Sequence, residues 1–160
     1  MSFVTCDICD ANEGAVRVVT GLHWYSFGGR KAFSGQAVTV KCFEDNSRVK
    51  EILATDGHGK VLVVDGGASL RMALIGDMIG ESAVKHGWSG VLIYGACRDV
   101  DELAKLDLGV VTLGSVPLKS VRRGEGQRDI PVAFGGVTIT PGDYVYVDNN
   151  GVVVSETSLI

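Results

Sequence analysis

Three charged residues have the types and placement to do chemistry: Asp77, Arg98 and Asp99. Arginine offers a permanent, planar, forked donor that suits a carboxylate or an enolate oxygen. Aspartate offers a hard oxygen ligand for Mg²⁺ or Mn²⁺. One protein carboxylate is normal for Mg²⁺, which keeps several waters and takes further ligands from its substrate. Asp77 follows Gly76 at the start of a predicted helix. There the backbone N–H groups of residues 76–79 lack helical partners and, with the helix dipole, favour an anion such as a substrate carboxylate. Each residue also has a plainer reading. Local sequence alone favours Asp77 as the cap of its own helix. Arg98-Asp99 could form a local ion pair or a second cap, with Asp101 and Glu102 charging a helix N-terminus.

What raises the chemical reading is the frame that carries these residues. The apolar run Val61–Val64 ends in Asp65-Gly66-Gly67, which predicts a buried strand meeting a tight turn. A second apolar run, Gly90–Gly95, ends just before Arg98-Asp99. Between them, Asp77–His86 is amphipathic, with Met78, Ile79, Ala83 and Val84 expected on one side. Strand, loop, helix and strand make a βαβ unit. Its parallel strands would deliver Gly66-Gly67 and Arg98-Asp99 to one edge, and ligands of open α/β sheets sit beyond the carboxyl ends of the strands.

Other chemistries find little support. The net charge of −4 argues against a general nucleic-acid binder, which usually carries a basic face. Asp65-Gly66-Gly67-Ala68-Ser69 lacks the Gly-Lys-Ser/Thr of a Walker loop. Glycines 87, 90 and 95 do not open a helix after a strand in the dinucleotide pattern. Cys6 and Cys9 form a lone CxxC without a second pair or suitably spaced histidines, so a zinc or redox site is not expected. His23, His58 and His86 are scattered, and no serine sits in a nucleophile elbow. The first residues do not read as a signal peptide, and no apolar run is long enough for a membrane span. Reduced thiols and a cytoplasmic location are the matching expectations.

The 160 residues predict one domain, residues 1–160. The 22 glycines fall between apolar runs and predict many tight turns in a strand-rich α/β fold. Asp7–Val19 predicts a short helix passing into a strand, and Gly35–Phe43 a strand by alternation. Asp45 or Asn46 is placed to cap a helix over Ser47–Ala54. Leu103–Leu108 is expected to be a brief helix and Gly109–Leu113 a strand. Pro117–Pro131 contains the basic cluster Lys119, Arg122 and Arg123, read as a solvated loop in preference to a binding patch. Strands are expected over Val132–Ile139, Tyr144–Val147 and Val152–Val154. Between them lie the turns Pro141-Gly142-Asp143 and Asp148-Asn149-Asn150-Gly151.

Several motifs together resemble the RraA-like family, which includes the regulator of ribonuclease activity A and the 4-hydroxy-4-methyl-2-oxoglutarate aldolases. They are Phe27-Gly28-Gly29-Arg30, Lys41-Cys42-Phe43-Glu44-Asp45-Asn46, Val61–Gly67, Tyr94-Gly95-Ala96, Phe134–Thr138 and Asp148–Val152. The resemblance covers nearly the whole chain. The family's aldolase signature is an Asp, twenty residues, then Arg-Asp, and Asp77 with Arg98-Asp99 satisfies it. The resemblance implies that Asp99 holds a divalent metal, Mg²⁺ or Mn²⁺. It implies that Arg98 contacts the keto acid, that Asp77 positions a catalytic water, and that Gly76, Asp77, Met78 and Ile79 bind substrate. The best-known ribonuclease regulators of the family lack the second aspartate, which this chain keeps. The longer aldolases carry C-terminal acidic residues that have no counterpart here. The implied fold is a three-layer β/β/α swivelling domain in a ring-shaped homotrimer, with sites at subunit interfaces and pairing into hexamers left open. The implied function is aldol cleavage to pyruvate with secondary oxaloacetate decarboxylation. The alternative is a non-catalytic regulator that binds a ribonuclease E-type partner.

Overall fold

The computed structural model describes residues 2–160. The chain begins with α1 (Thr5–Ala11), β1 (Arg17–Val19), β2 (Tyr25–Ser26), β3 (Phe33–Lys41) and α2 (Ser47–Leu53). The middle forms β4 (Lys60–Asp65), β5 (Ala73–Ile75), α3 (Asp77–Lys85), β6 (Gly90–Cys97), α4 (Val100–Leu103) and β7 (Gly109–Ser115). The last part is all strand: β8 (Gln127–Arg128), β9 (Val132–Phe134), β10 (Val137–Ile139), β11 (Tyr144–Asp148) and β12 (Gly151–Ser155).

One large mixed sheet runs β1-β12-β11-β3-β4-β6-β7-β2. Its centre is parallel: β3 with β4, β4 with β6, and β6 with β7. Parallel central strands bury both faces, which is why Val61–Val64 and Val91–Ile93 read as unbroken apolar runs. Leu62, Val64, Val91, Ile93 and Val110 point to a core closed by Val49, Ile52 and Leu53 of α2 and by Ile79 and Ala83 of α3. Val61, Val63, Leu92 and Val111 point the other way. They meet Val132, Phe134, Val137 and Ile139 of β9 and β10, with Val145, Val147, Val152 and Val154 of β11 and β12. The layers are thus β on β on α, the order implied by the resemblance. Each of the Val, Leu, Ile and Phe side chains among these contributes about 1.5–3 kcal/mol by leaving water. Helix α1 adds Ile8 to the outer side of β11 and β12, against Tyr146 and Val153.

Four expectations change. Val132–Ile139 is not one strand but a hairpin, because Gly135 and Gly136 both take positive φ, 59° and 76°. Two consecutive left-handed residues turn a chain back on itself in register, here with Phe134 opposite Val137. The helix expected over Leu103–Leu108 instead spans Val100–Leu103 and begins directly after Asp99. The segment before α3 is not all loop: Ala73–Ile75 forms β5, which pairs in parallel with β6. In α3, Ile79 and Ala83 are buried while Met78 is 79% exposed and Val84 is also exposed. Ile79 and Ala83 are four apart and share a face; Met78 is turned away from it by about 100°.

Candidate active site

Strands β5 and β6 end side by side, and the Arg98 N–H donates to the Ile75 carbonyl at 3.0 Å. The chain therefore leaves β5 at Gly76 into α3, and leaves β6 at Arg98-Asp99 into α4, at neighbouring points on the carboxyl edge of the sheet. Gly76, not Asp77, occupies the cap position of α3, and it has no side chain to serve the helix N–H groups. Asp99 supplies what is missing: its Oδ2 accepts from the Asp77 backbone N–H at 3.0 Å. The Asp77 carboxylate accepts from the Met78 N–H at 2.8 Å. Two of the donors expected to await an external anion are thus held by the protein's own carboxylates.

Asp99 sits in the left-handed region, φ 55° and ψ 43°. Among non-glycine residues Asp and Asn tolerate this conformation best. The twist turns its carboxylate away from its own helix, where it makes no capping hydrogen bond, and towards α3. The plainer reading of Asp99 as the cap of its own helix is therefore wrong, because the carboxylate caps α3 across the fold. The ion-pair reading is met only loosely, with Arg98 Nε 3.9 Å from Asp99 Oδ2. The remaining oxygen, Asp99 Oδ1, accepts no hydrogen bond among the described residues.

A cleft of about 370 Å³ opens here. Gly76, Asp77, Met78, Ile79, Arg98 and Asp99 all line it, so the residues expected to meet substrate and metal reach one place. Gly66-Gly67 lies on the same sheet edge but not in the cleft. Asn46, Ser120, Lys119 and Arg122 also line it, and sequence reading missed them as a group. The segment expected as a solvated loop folds back over the edge of β5. The Ala73 N–H donates to Leu118 O at 2.8 Å, and the Ser120 hydroxyl donates to Ala73 O at 2.7 Å. Arg122 Nε then donates to the nearly buried Asn46 Oδ1 at 3.0 Å. Lys119 and Arg122 had a signal in their charge, but Asn46 lies 76 residues from Arg122. Only the closed fold shows that the two meet.

Asp45 clamps the same segment. Its Oδ2 accepts from the backbone N–H groups of Arg123 at 2.7 Å and Glu125 at 3.2 Å, and its Oδ1 accepts from Ser47. Burial works to raise its pKa, but the hydrogen bonds from Ser47, Arg123 and Glu125 win and hold it at about 2. Cys97, adjacent to Arg98, is pushed up to about 11, chiefly by burial. A thiol so protonated is no nucleophile near neutral pH, which removes cysteine chemistry from the site.

No three described His, Cys, Asp or Glu side chains come together as a metal cage. A divalent cation with one protein carboxylate, several waters and substrate oxygens fits what is present. Asp99 Oδ1 is the oxygen suited to it.

The family model described as RraA-like, Aldolase/RraA, matches residues 5–154. The chain belongs to the RraA-like family. A relative from Alcanivorax borkumensis with the provisional name 4-hydroxy-4-methyl-2-oxoglutarate aldolase is 69% identical over 160 residues, covering 100% of both chains. The RNA-processing inhibitor RraA from Thermus thermophilis is 36% identical at TM-score 0.93, covering 100% of this chain and 98% of that one. A Geobacillus kaustophilus protein described as S-adenosylmethionine:2-dimethylmenaquinone methyltransferase is 44% identical at TM-score 0.95, covering 98% and 97%. Three functional names thus accompany one RraA-like fold. Function has to be argued from the cleft.

Proposed function

We propose that this RraA-like protein is a divalent-metal-dependent aldolase. In this reading it cleaves 4-hydroxy-4-methyl-2-oxoglutarate to pyruvate and also decarboxylates oxaloacetate. The observation that carries the reading is the convergence of Asp77, Arg98 and Asp99 on one cleft, with one Asp99 oxygen uncommitted. The aldolase name of the 69%-identical relative supports it.

A bound Mg²⁺ or Mn²⁺ would be held by Asp99 and would act as a Lewis acid on the 2-oxo acid. Arg98 binds the carboxylate or the developing enolate oxygen through its forked donors, which matter most where charge appears in the transition state. Breaking the C3–C4 bond releases the proton of the C4 hydroxyl and leaves the electron pair on C3. Net, one proton passes from oxygen to carbon. Asp77 and Arg98 hold the water that delivers it to C3. Loss of CO₂ from oxaloacetate leaves the same enolate, so both activities belong to one site. Gly76–Ile79 form the wall against which the 2-oxo acid lies.

The trimer belongs to this reading. Met78 and Val121 line the cleft, and both are exposed, as is Leu118 beside Lys119. An apolar rim of this kind is suited to cover by another copy. The large sheet's strand order ends at β1 and β2, and the separate β9–β10 pair leaves further open edges in the C-terminal half of the chain; such edges also call for cover.

The test is pyruvate release from both substrates with and without Mg²⁺ or Mn²⁺. Release that depends on the metal is expected; none above background would remove the reading. The second reading, regulation of a ribonuclease E-type enzyme, is favoured by the likeness to the Thermus inhibitor. The net charge of −4 suits a basic partner segment. Binding to such an enzyme at low salt would support it.

A further inference from the structure

We infer that Lys119 and Arg122 form a second anion subsite in the cleft, one that takes the distal carboxylate of a dicarboxylic 2-oxo acid. This deepens the aldolase reading and rests on it for the roles of Arg98 and Asp99.

Charge points to the subsite first. The cleft holds three cations, Arg98, Lys119 and Arg122, against two carboxylates, Asp77 and Asp99. A pyruvate-type end has one carboxylate, which Arg98 and a metal on Asp99 already serve. Two further cations are surplus for a monocarboxylic substrate. They are also unpaired. Most of the arginines hold an acidic partner: Arg17, Arg30, Arg48 and Arg71 pair with Asp143, Asp107, Glu51 and Glu44. Lys119 and Arg122 pair with no carboxylate among the described residues, although like charges on a short segment repel.

Both cations are also held in place. Arg122 is aimed by a nearly buried amide. Asn46 commits its Nδ2 to Leu74 O at 3.2 Å, which turns its Oδ1 to Arg122 Nε at 3.0 Å. The fork of the guanidinium, its two Nη groups, meets no acceptor among the described residues. Lys119 stands between two anchors, Leu118 O bonded by Ala73 N–H and Ser120 Oγ bonded to Ala73 O. Arg98 Nη1 reaches Pro117 O at 3.5 Å, so this segment lies directly against the inner cation. A free surface loop has no reason to be fixed in this way. A subsite for the second end of a small diacid does.

The experiment compares two aldols that differ only at C4. 4-Hydroxy-4-methyl-2-oxoglutarate carries a carboxylate there, and 4-hydroxy-2-oxopentanoate carries hydrogen in its place. The readout is the ratio of their kcat/KM values. Arg122→Met should lower that ratio roughly 10–100-fold, the worth of a charge-assisted hydrogen bond. Lys119→Met should move it the same way by less, and Arg122→Lys should restore part of it. Arg123→Met, whose side chain lies outside the cleft, controls for the general positive field and should leave the ratio alone. A ratio unchanged in Arg122→Met, or lowered equally by Arg123→Met, overturns the subsite.

Calorimetry with Mg²⁺ separates this outcome from failure of the aldolase reading. If neither aldol is cleaved, the aldolase reading falls. The subsite is then judged on the affinity for 2-oxoglutarate over 2-oxobutyrate. A preference for the diacid that drops in Arg122→Met upholds it, and equal affinities or no binding of either overturn it.

Discussion

The carboxylate of Asp99 accepts a hydrogen bond from the backbone N–H of Asp77 at 3.0 Å, so the residue that precedes α4 caps α3, 22 positions earlier in the chain. The contact exists because Gly76 leaves room for it. A Cβ on Gly76 would lie 2.5 Å from Asp99 Oδ2 and 3.3 Å from Arg98 Cγ. Gly76→Ala must therefore displace the carboxylate. Its backbone is extended, with φ −141°, so alanine brings no conformational strain of its own. The expected result is a fall in kcat of roughly 100-fold from misplacement on the order of 1 Å. Stability should change by only about 1 kcal/mol at the cap position. Pyruvate release and a thermal melt on the same sample check both halves, and full activity would contradict the arrangement.

Arg98→Lys keeps the charge and loses the fork. A single ammonium cannot bridge a carboxylate and an enolate oxygen as a planar guanidinium does. Turnover should fall roughly 100–1000-fold, in the range seen when one oxyanion donor is removed. Binding of the metal should persist. Steady-state kinetics alongside Mn²⁺ titration separates the two.

Asp45 gives a pH dependence with a definite sign. Its pKa is depressed from 3.8 to about 2 in the folded protein. A depressed carboxylate stabilises the fold above the unfolded value, and that contribution fades as the pH falls through the folded value. Between about pH 4 and pH 2 the wild type should lose on the order of 1–2 kcal/mol from this group, allowing for screening near the surface. Asp45→Asn should be less stable near neutral pH and show a flatter acid slope. Urea midpoints across this range measure it. Faster amide exchange at Arg123 and Glu125 should mark where the segment lets go.

Much of the frame is legible before folding. Val61–Val64 and Val91–Ile93 announce themselves by length and composition, and the turn over Asp148–Gly151 announces the last hairpin. What is hidden owes its structure to partners distant in sequence. Ala73–Ile75 is three residues long and becomes a strand only by pairing with β6. The side of α3 that is buried depends on what packs there, so Met78 cannot be placed by hydrophobicity alone. Asp77 and Arg98-Asp99 are legible by type and by their place at the strand ends, and their spacing gains meaning only through the family resemblance. The basic segment reads as solvated because its anchors, Asn46, Ala73 and Asp45, lie far away in the chain.

The mass in solution tests the shared site. A trimer scatters light as about three times 16.9 kDa. Met78→Lys, on the exposed rim, should weaken assembly and activity together. A clean monomer at micromolar concentration with full activity would remove the interface from the account.

The central claim, that Asp99 works as a metal ligand and not only as a cap, is tested most directly by Asp99→Asn. Asparagine can keep the hydrogen bond from the Asp77 N–H and tolerates the left-handed backbone, so the fold should hold to within about 1 kcal/mol. It removes the charge that binds a hard cation. The decisive measurement is Mn²⁺-dependent pyruvate release from 4-hydroxy-4-methyl-2-oxoglutarate by wild-type and Asp99→Asn protein side by side. Loss of release and of Mn²⁺ binding from a folded variant is the predicted result, and near-normal turnover by Asp99→Asn would contradict it.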